Sequence, residues 1–151
     1  MLNCKIMKFK LTIINCITPL LIVGILYIIF RSKTLIMFDW FSNLGIDNFI
    51  TSMRSMLFNL KNYLPSWTYY SLPDGLWIYA FNSALLILWN GKLTLWLLPP
   101  VLGGTIVELA QGIKIFPGTF DILDLFFSLL AFSMSTIIIN HKFNQHEKIL
   151  Q

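Results

Sequence analysis

Between Lys10 and Arg31 the chain runs for twenty residues, Leu11 to Phe30, without one charged side chain. At about 1.5 Å of rise per residue a helix of that length matches the roughly 30 Å hydrocarbon core of a bilayer. Composition closes off the alternative of a buried helix in a water-soluble domain. The chain is 56% hydrophobic and only 12% charged, where a soluble domain carries about 25% charged residues and needs them to cover its surface. A soluble globular protein, a disordered chain and a disulfide scaffold are all excluded, and a small polytopic membrane protein remains.

The net charge of +4 would suit a nucleic-acid binder only if the basic residues formed a stripe. They do not: Lys5, Lys8, Lys10, Arg31 and Lys33 flank the first apolar run, as membrane-flanking charges do. No nucleic-acid partner is expected. The basic prefix mimics a secretory signal, but the run is longer than a typical signal core and no small-x-small cleavage site precedes Arg31, so it reads as a retained anchor. Cys4 and Cys16 lie twelve residues apart on this one helix, about 18 Å along its axis and beyond disulfide reach. No zinc-ligand spacing accompanies them, and no metal or cofactor is expected.

Three more runs follow, at about residues 74–90, 93–115 and 120–139, ahead of a polar tail from Asn140 to Gln151. The sequence therefore predicts an all-α fold, a polytopic bundle of about four transmembrane helices making a single integral membrane domain. The turn Asn90-Gly91-Lys92 has room only for a tight hairpin, and Trp77, Trp89 and Trp96 suit interfacial belts. Between the first two spans, Ile46, Phe49, Ile50, Met53, Met56, Leu57, Leu60 and Leu64 recur at helical spacing. Residues 46–64 thus predict an amphipathic helix lying in the membrane interface, the same pattern also serving a lid over the bundle mouth. The lysines before the first span favour a cytoplasmic N-terminus.

The rare carboxylates are placed selectively. Asp74 opens the second span, Glu108 lies towards the end of the third, and Asp121 and Asp124 open the fourth. Because helix direction alternates, all four meet the same membrane face, opposite the Lys92 turn, with only Lys114 nearby in sequence to neutralise them. Asp74, Asp121 and Asp124 also suit the first turns of helices, where exposed N–H groups favour a carboxylate, with Thr119 as a candidate cap for the fourth span. Glu108 has no such excuse: it stands in the C-terminal part of its helix, inside an apolar run, and intramembrane carboxylates are functional candidates by default. Gly104 and Gly112 share its face and Gln111 is within side-chain reach. Asp121, Asp124, Ser128 and Ser135 form one polar stripe, and Tyr79, Asn82 and Ser83 another. Lipid cannot satisfy such stripes, which predicts burial against each other, as interhelical glue or as a polar pocket. Pro99-Pro100 with Gly103-Gly104 could break the third span.

The segment Glu108-Leu-Ala-Gln111, followed by Phe116-Pro117-Gly118 and Asp121-Ile-Leu-Asp124, resembles the signature of VanZ-like membrane proteins. The resemblance covers about residues 72–136. Glu108, Gln111 and Asp124 match the pattern; the Arg common in its loop is absent, Gly118 and Thr119 standing there, and the Asn that usually follows the Asp is Ser128. What it implies is a compact bundle of four or five spans in the bacterial cytoplasmic membrane, in a family named for a link to glycopeptide resistance.

The function expected is a non-enzymatic membrane protein whose acidic pocket, built from Glu108, Gln111, Asp124, Asp121, Asp74 and Asn82, binds a lipid headgroup or an envelope-related polar ligand. Intramembrane acids and a broken helix would equally serve a small proton- or cation-coupled transporter or a subunit of one, which with four spans would need a homo-oligomer or a membrane partner. A lipid-modifying enzyme is the third reading. It lacks GxSxG, HExxH and P-loop motifs, and His141 and His146 lie in the tail, away from the acids.

Overall fold

The computed structural model describes residues 2–116 and 119–150. Every element in them is helical. Helix α1 (Leu2–Thr12) and helix α2 (Thr18–Phe30) are joined end to end by a π turn at Ile13–Ile17, making one rod. Helices α3 (Ile36–Asn43) and α4 (Asp47–Leu57) follow, then short 3-10 turns at Phe58–Asn62 and Ser66–Thr68. Helix α5 (Ser71–Leu88) leads through a 3-10 turn at Leu95–Leu97 to α6 (Leu98–Gly112), and α7 (Ile122–Leu150) ends the fold. Among the described residues three rods are long and apolar enough to cross a membrane: Cys4–Phe30, Ser66–Leu88 and Ile122–Lys148.

The π turn has a local cause. Pro19 lacks an N–H, and its ring crowds the carbonyl one turn back. The N–H of Thr18 reaches instead to Ile13 O, five residues away, and Thr18 Oγ1 donates to the same carbonyl at 3.0 Å. Buried Asn15 sits in the widened turn, donating to Leu11 O and accepting from Tyr79 Oη at 2.7 Å, which ties the rod to α5.

Helix α5 is the spine. It runs antiparallel to the rod: Tyr27 meets Asp74 at one end, and Leu11 and Cys16 pack with Leu86 and Ile87 at the other. It runs parallel to α7. Gly75 lies against Phe127, Asn82 bonds Ser135 and Thr136, and Gly91 abuts Phe143, so position rises together on both helices. The close approach uses small residues, Gly75 on α5 and Ser135 on α7, the means by which membrane helices pack without a hydrophobic driving force.

Two parallel helices joined in sequence require a return, and α6 supplies it, packing against both. It is shorter than the run 93–115 suggested. Pro99 and Pro100 occupy its first turn, where a missing N–H costs nothing, so they start the helix rather than break it. At its far end Lys114 adopts a left-handed φ of 60°, with Lys114 N–H bonded to Gln111 O and Ile115 N–H to Ala110 O. That pattern is a Schellman stop. Asn90 ends α5 the same way, at φ 56°, with Gly91 N–H on Leu86 O at 2.7 Å.

Two further expectations change. The tail 140–150 is helical, continuing α7, because Phe143 is buried against the Gly91 turn and the cluster of Leu11, Leu97 and Ile139. The segment 46–64 is not one helix. In α4 the inward residue is Ile50, while Leu57 and Leu64 pack around Ile29, Phe30 and Tyr69. Phe49, Met56 and Tyr63 are exposed. Arg54 fixes this segment to the end of α2 by donating Nη1 to Ile28 O and Nη2 to Arg31 O at 2.9 Å. A forked cation here satisfies terminal carbonyls that have no partner within the helix.

Candidate functional site

Where α2 and α6 end and α5 and α7 begin, the four termini enclose a cavity of about 320 Å³. Asp74, Glu108, Gln111, Asp121 and Asp124 all line it, together with Arg31, Tyr70 and Thr119. Four carboxylates against one guanidinium leave the wall with a formal excess of three negative charges. None of the described residues that line it belongs to 46–64.

Each acid is held differently. Asp74, in the first turn of α5, accepts a hydrogen bond from Tyr27 Oη at 3.1 Å. Asp121 is the N-cap of α7, its Oδ1 accepting the Leu123 N–H at 2.9 Å; that role belongs to Asp121 and not to Thr119, which faces the cavity. Asp124 stands three residues on, where a capping-box side chain would reach back to the N–H of the cap residue. That N–H is already taken. Asp121 N–H donates to Glu108 Oε2 at 3.2 Å, across from α6. Glu108 therefore does have a structural excuse: it closes the cap of a neighbouring helix, at the positive end of that helix's dipole. The consequence falls on Asp124, whose Oδ1 is buried with no hydrogen-bond partner. Glu108 itself is 9% exposed.

Arg31 is the residue that sequence reasoning assigned elsewhere, as a flanking charge of the first span. It caps α2 in extended backbone (φ −78°, ψ 160°), and its guanidinium lies over the rings of Tyr27 and Tyr70, at 5.1 Å and 5.7 Å from their centroids. Such stacking holds a cation near apolar surface. Its Nε is buried without a partner. Lys114, the expected neutraliser, is exposed and does not line the cavity. The alternation of helix direction that groups the acids puts the end of the first span at the same face, so the signal for Arg31 was in the sequence.

Asn82 is the one expected site residue that lies elsewhere. It is wholly buried between α5 and α7, donating Nδ2 to Ser135 Oγ at 2.7 Å and Thr136 Oγ1 at 3.0 Å. It is glue between helices, and lines no part of the acidic cavity. Tyr79 is likewise spent on Asn15. Pro117 and Gly118, the centre of the expected loop motif, lie outside the described residues.

Chemically the cavity offers acceptors in excess, one cation and two buried polar atoms without partners. Among the described residues no three Asp, Glu, His or Cys side chains are grouped to hold a metal ion. Compared with known proteins, the chain matches no family model, no curated protein and no solved structure.

Proposed function

We propose that this chain is a VanZ-like protein of a bacterial cytoplasmic membrane, non-enzymatic, that binds the polar headgroup of a lipid or envelope-related ligand at the acidic cavity. The observation that carries the reading is the convergence of Asp74, Glu108, Gln111, Asp121 and Asp124, from three helices, on one cavity with Arg31. Glu108 is buried and Asp74, Asp121 and Asp124 are half-buried at the ends of apolar helices, a costly placement for carboxylates, and only part of the cost is recovered by the Tyr27 and Asp121 hydrogen bonds. A ligand recovers the rest.

The reading treats α6 as a fourth span. Its fifteen residues and the turn before it cover the distance that α5 crosses in the opposite sense, and its outward residues Leu102, Ile106 and Leu109 are apolar and exposed, as a lipid-facing side would be. Both termini then lie on one side, cytoplasmic by the lysines ahead of the first span. In the same reading α4 lies in the interface with Phe49 and Met56 towards lipid.

The test is Glu108→Gln, purified alongside the wild type and weighed intact with its retained lipids. Loss of headgroup-selective lipid with an unchanged helical signal is the expected result. A folded variant that retains the same lipids as the wild type sinks the proposal.

A further inference from the structure

A second space adjoins the acidic cavity and shares part of its wall. Asp74, Glu108, Gln111 and Asp124 also line this space of about 330 Å³, walled otherwise by side chains and glycines of α5, α6 and α7 that include Trp77, Gly103, Gly104 and Val107. A third, apolar recess between Trp77, Ile78, Phe81 and Pro100 continues the same line. From Asp74 to Phe81 the groove follows α5 for about 10 Å of helical rise. Trp77, Phe81, Gly103 and Val107 are exposed, so the groove opens sideways on the face that apolar residues share, and not along the bundle axis. Gly103 borders open space: a Cβ added there would meet nothing within 4 Å.

At the mouth, two buried atoms lack partners and need opposite things. Asp124 Oδ1 needs a donor, Arg31 Nε needs an acceptor, and both residues line the first cavity. Glu108, 9% exposed, lines both spaces and has Asp121 N–H as its side-chain partner among the described residues. A ligand bearing an ammonium and a phosphate a few bonds apart meets both needs, and an apolar chain on the same molecule has the lateral groove to occupy.

We infer that the groove holds an aminophospholipid, entering sideways from the membrane, its ammonium among Asp74, Glu108 and Asp124, its phosphate at Arg31, and one acyl chain between α5 and α6 along Trp77 and Gly103. The inference rests on the headgroup-binding reading above and adds the class of headgroup and the seat of the chain. The negative excess of the wall disfavours a purely anionic lipid, whose phosphate would meet four carboxylates with no ammonium to offset them.

The experiment uses the full chain in detergent with equal amounts of phosphatidylethanolamine and phosphatidylglycerol, bound lipid being read by native mass spectrometry. The wild type is expected to prefer phosphatidylethanolamine about ten-fold, the worth of one charge-assisted hydrogen bond, and to bind water-soluble glycerophosphoethanolamine. Gly103→Phe, which fills the groove, is expected to lose the preference while unfolding at the wild-type temperature. If Gly103→Phe keeps the preference, the chain lies elsewhere and this inference fails while headgroup binding stands. If the wild type shows neither preference nor glycerophosphoethanolamine binding, the headgroup reading fails with it. Should Gly103→Phe not fold, wild-type protein is labelled with phosphatidylethanolamine carrying a photoreactive acyl chain. Crosslinks within residues 77–81 and 100–107, competed by glycerophosphoethanolamine, support the inference; crosslinks that ignore the competitor overturn it.

Discussion

Gly75→Ala isolates the closest approach in the bundle, where α5 meets α7. A Cβ at Gly75 would lie 3.0 Å from Phe127 O, 3.1 Å from Phe127 Cβ and 3.2 Å from Phe127 C. Two of those atoms are backbone and cannot swing aside, so the helices must separate. Overpacking of this kind costs about 1–3 kcal/mol. Against it stands the gain of about 1 kcal/mol from replacing a helical glycine by alanine, which leaves a net loss of about 1 kcal/mol. Gly103→Ala makes the same chemical change where a Cβ meets nothing within 4 Å, so only the gain of about 1 kcal/mol is expected. The two variants should therefore differ by about 2 kcal/mol in opposite directions. The assay is reversible unfolding in mixed micelles by titration with sodium dodecyl sulfate, followed by helical signal. If Gly75→Ala is stabilised as much as Gly103→Ala, α5 and α7 do not meet at Gly75, and the parallel packing that forces α6 to return is wrong.

Tyr79→Phe removes the 2.7 Å hydrogen bond to Asn15 Oδ1 in the π turn; the expected loss is about 0.6–1.7 kcal/mol, in the range of interhelical bonds in membranes, read by the same titration. A loss near zero would show that the π turn stands on Pro19 alone. Arg54→Lys keeps the charge but not the fork that reaches Ile28 O and Arg31 O; faster amide exchange and protease cutting across residues 32–64 are expected, and protection equal to wild type would contradict the tether. Gly91→Ala meets both a φ of 75° and a Cβ placed 2.8 Å from Phe143 Cβ. It is expected to cost about 1–3 kcal/mol and to fray α7 beyond Ile139, measured as loss of helix on truncation-matched circular dichroism.

What the sequence made legible follows from one-dimensional rules. A charge-free run of twenty residues must be a long helix, and alternation of helix direction must bring Asp74, Glu108, Asp121 and Asp124 to one face. What it hid depends on rotation about helix axes. Asn82 and Asp74 lie two turns apart on α5, yet one faces α7 and the other the cavity; periodicity does not fix which. Arg31 was at the right end all along, and its role comes from Tyr27 and Tyr70, far apart in sequence, holding it inward. The end of α6 was misjudged because its stop is a lysine in a left-handed turn, where glycine is the usual sign. That Asp124 loses the N–H of the cap residue was hidden because the competing acceptor, Glu108, comes from another helix.

The claim on which the rest depends is that one cavity, open to water at one membrane face, holds the acids and takes a headgroup. It is tested by placing single cysteines at Thr119, which lines the cavity, and at Asn82, in a chain whose Cys4 and Cys16 are replaced by alanine, and treating sealed vesicles with a membrane-impermeant maleimide. Thr119→Cys is expected to react from one side only and to be protected by glycerophosphoethanolamine, while Asn82→Cys, buried between α5 and α7, does not react from either side. An unreactive Thr119→Cys, or one that reacts equally with the headgroup present, would contradict it.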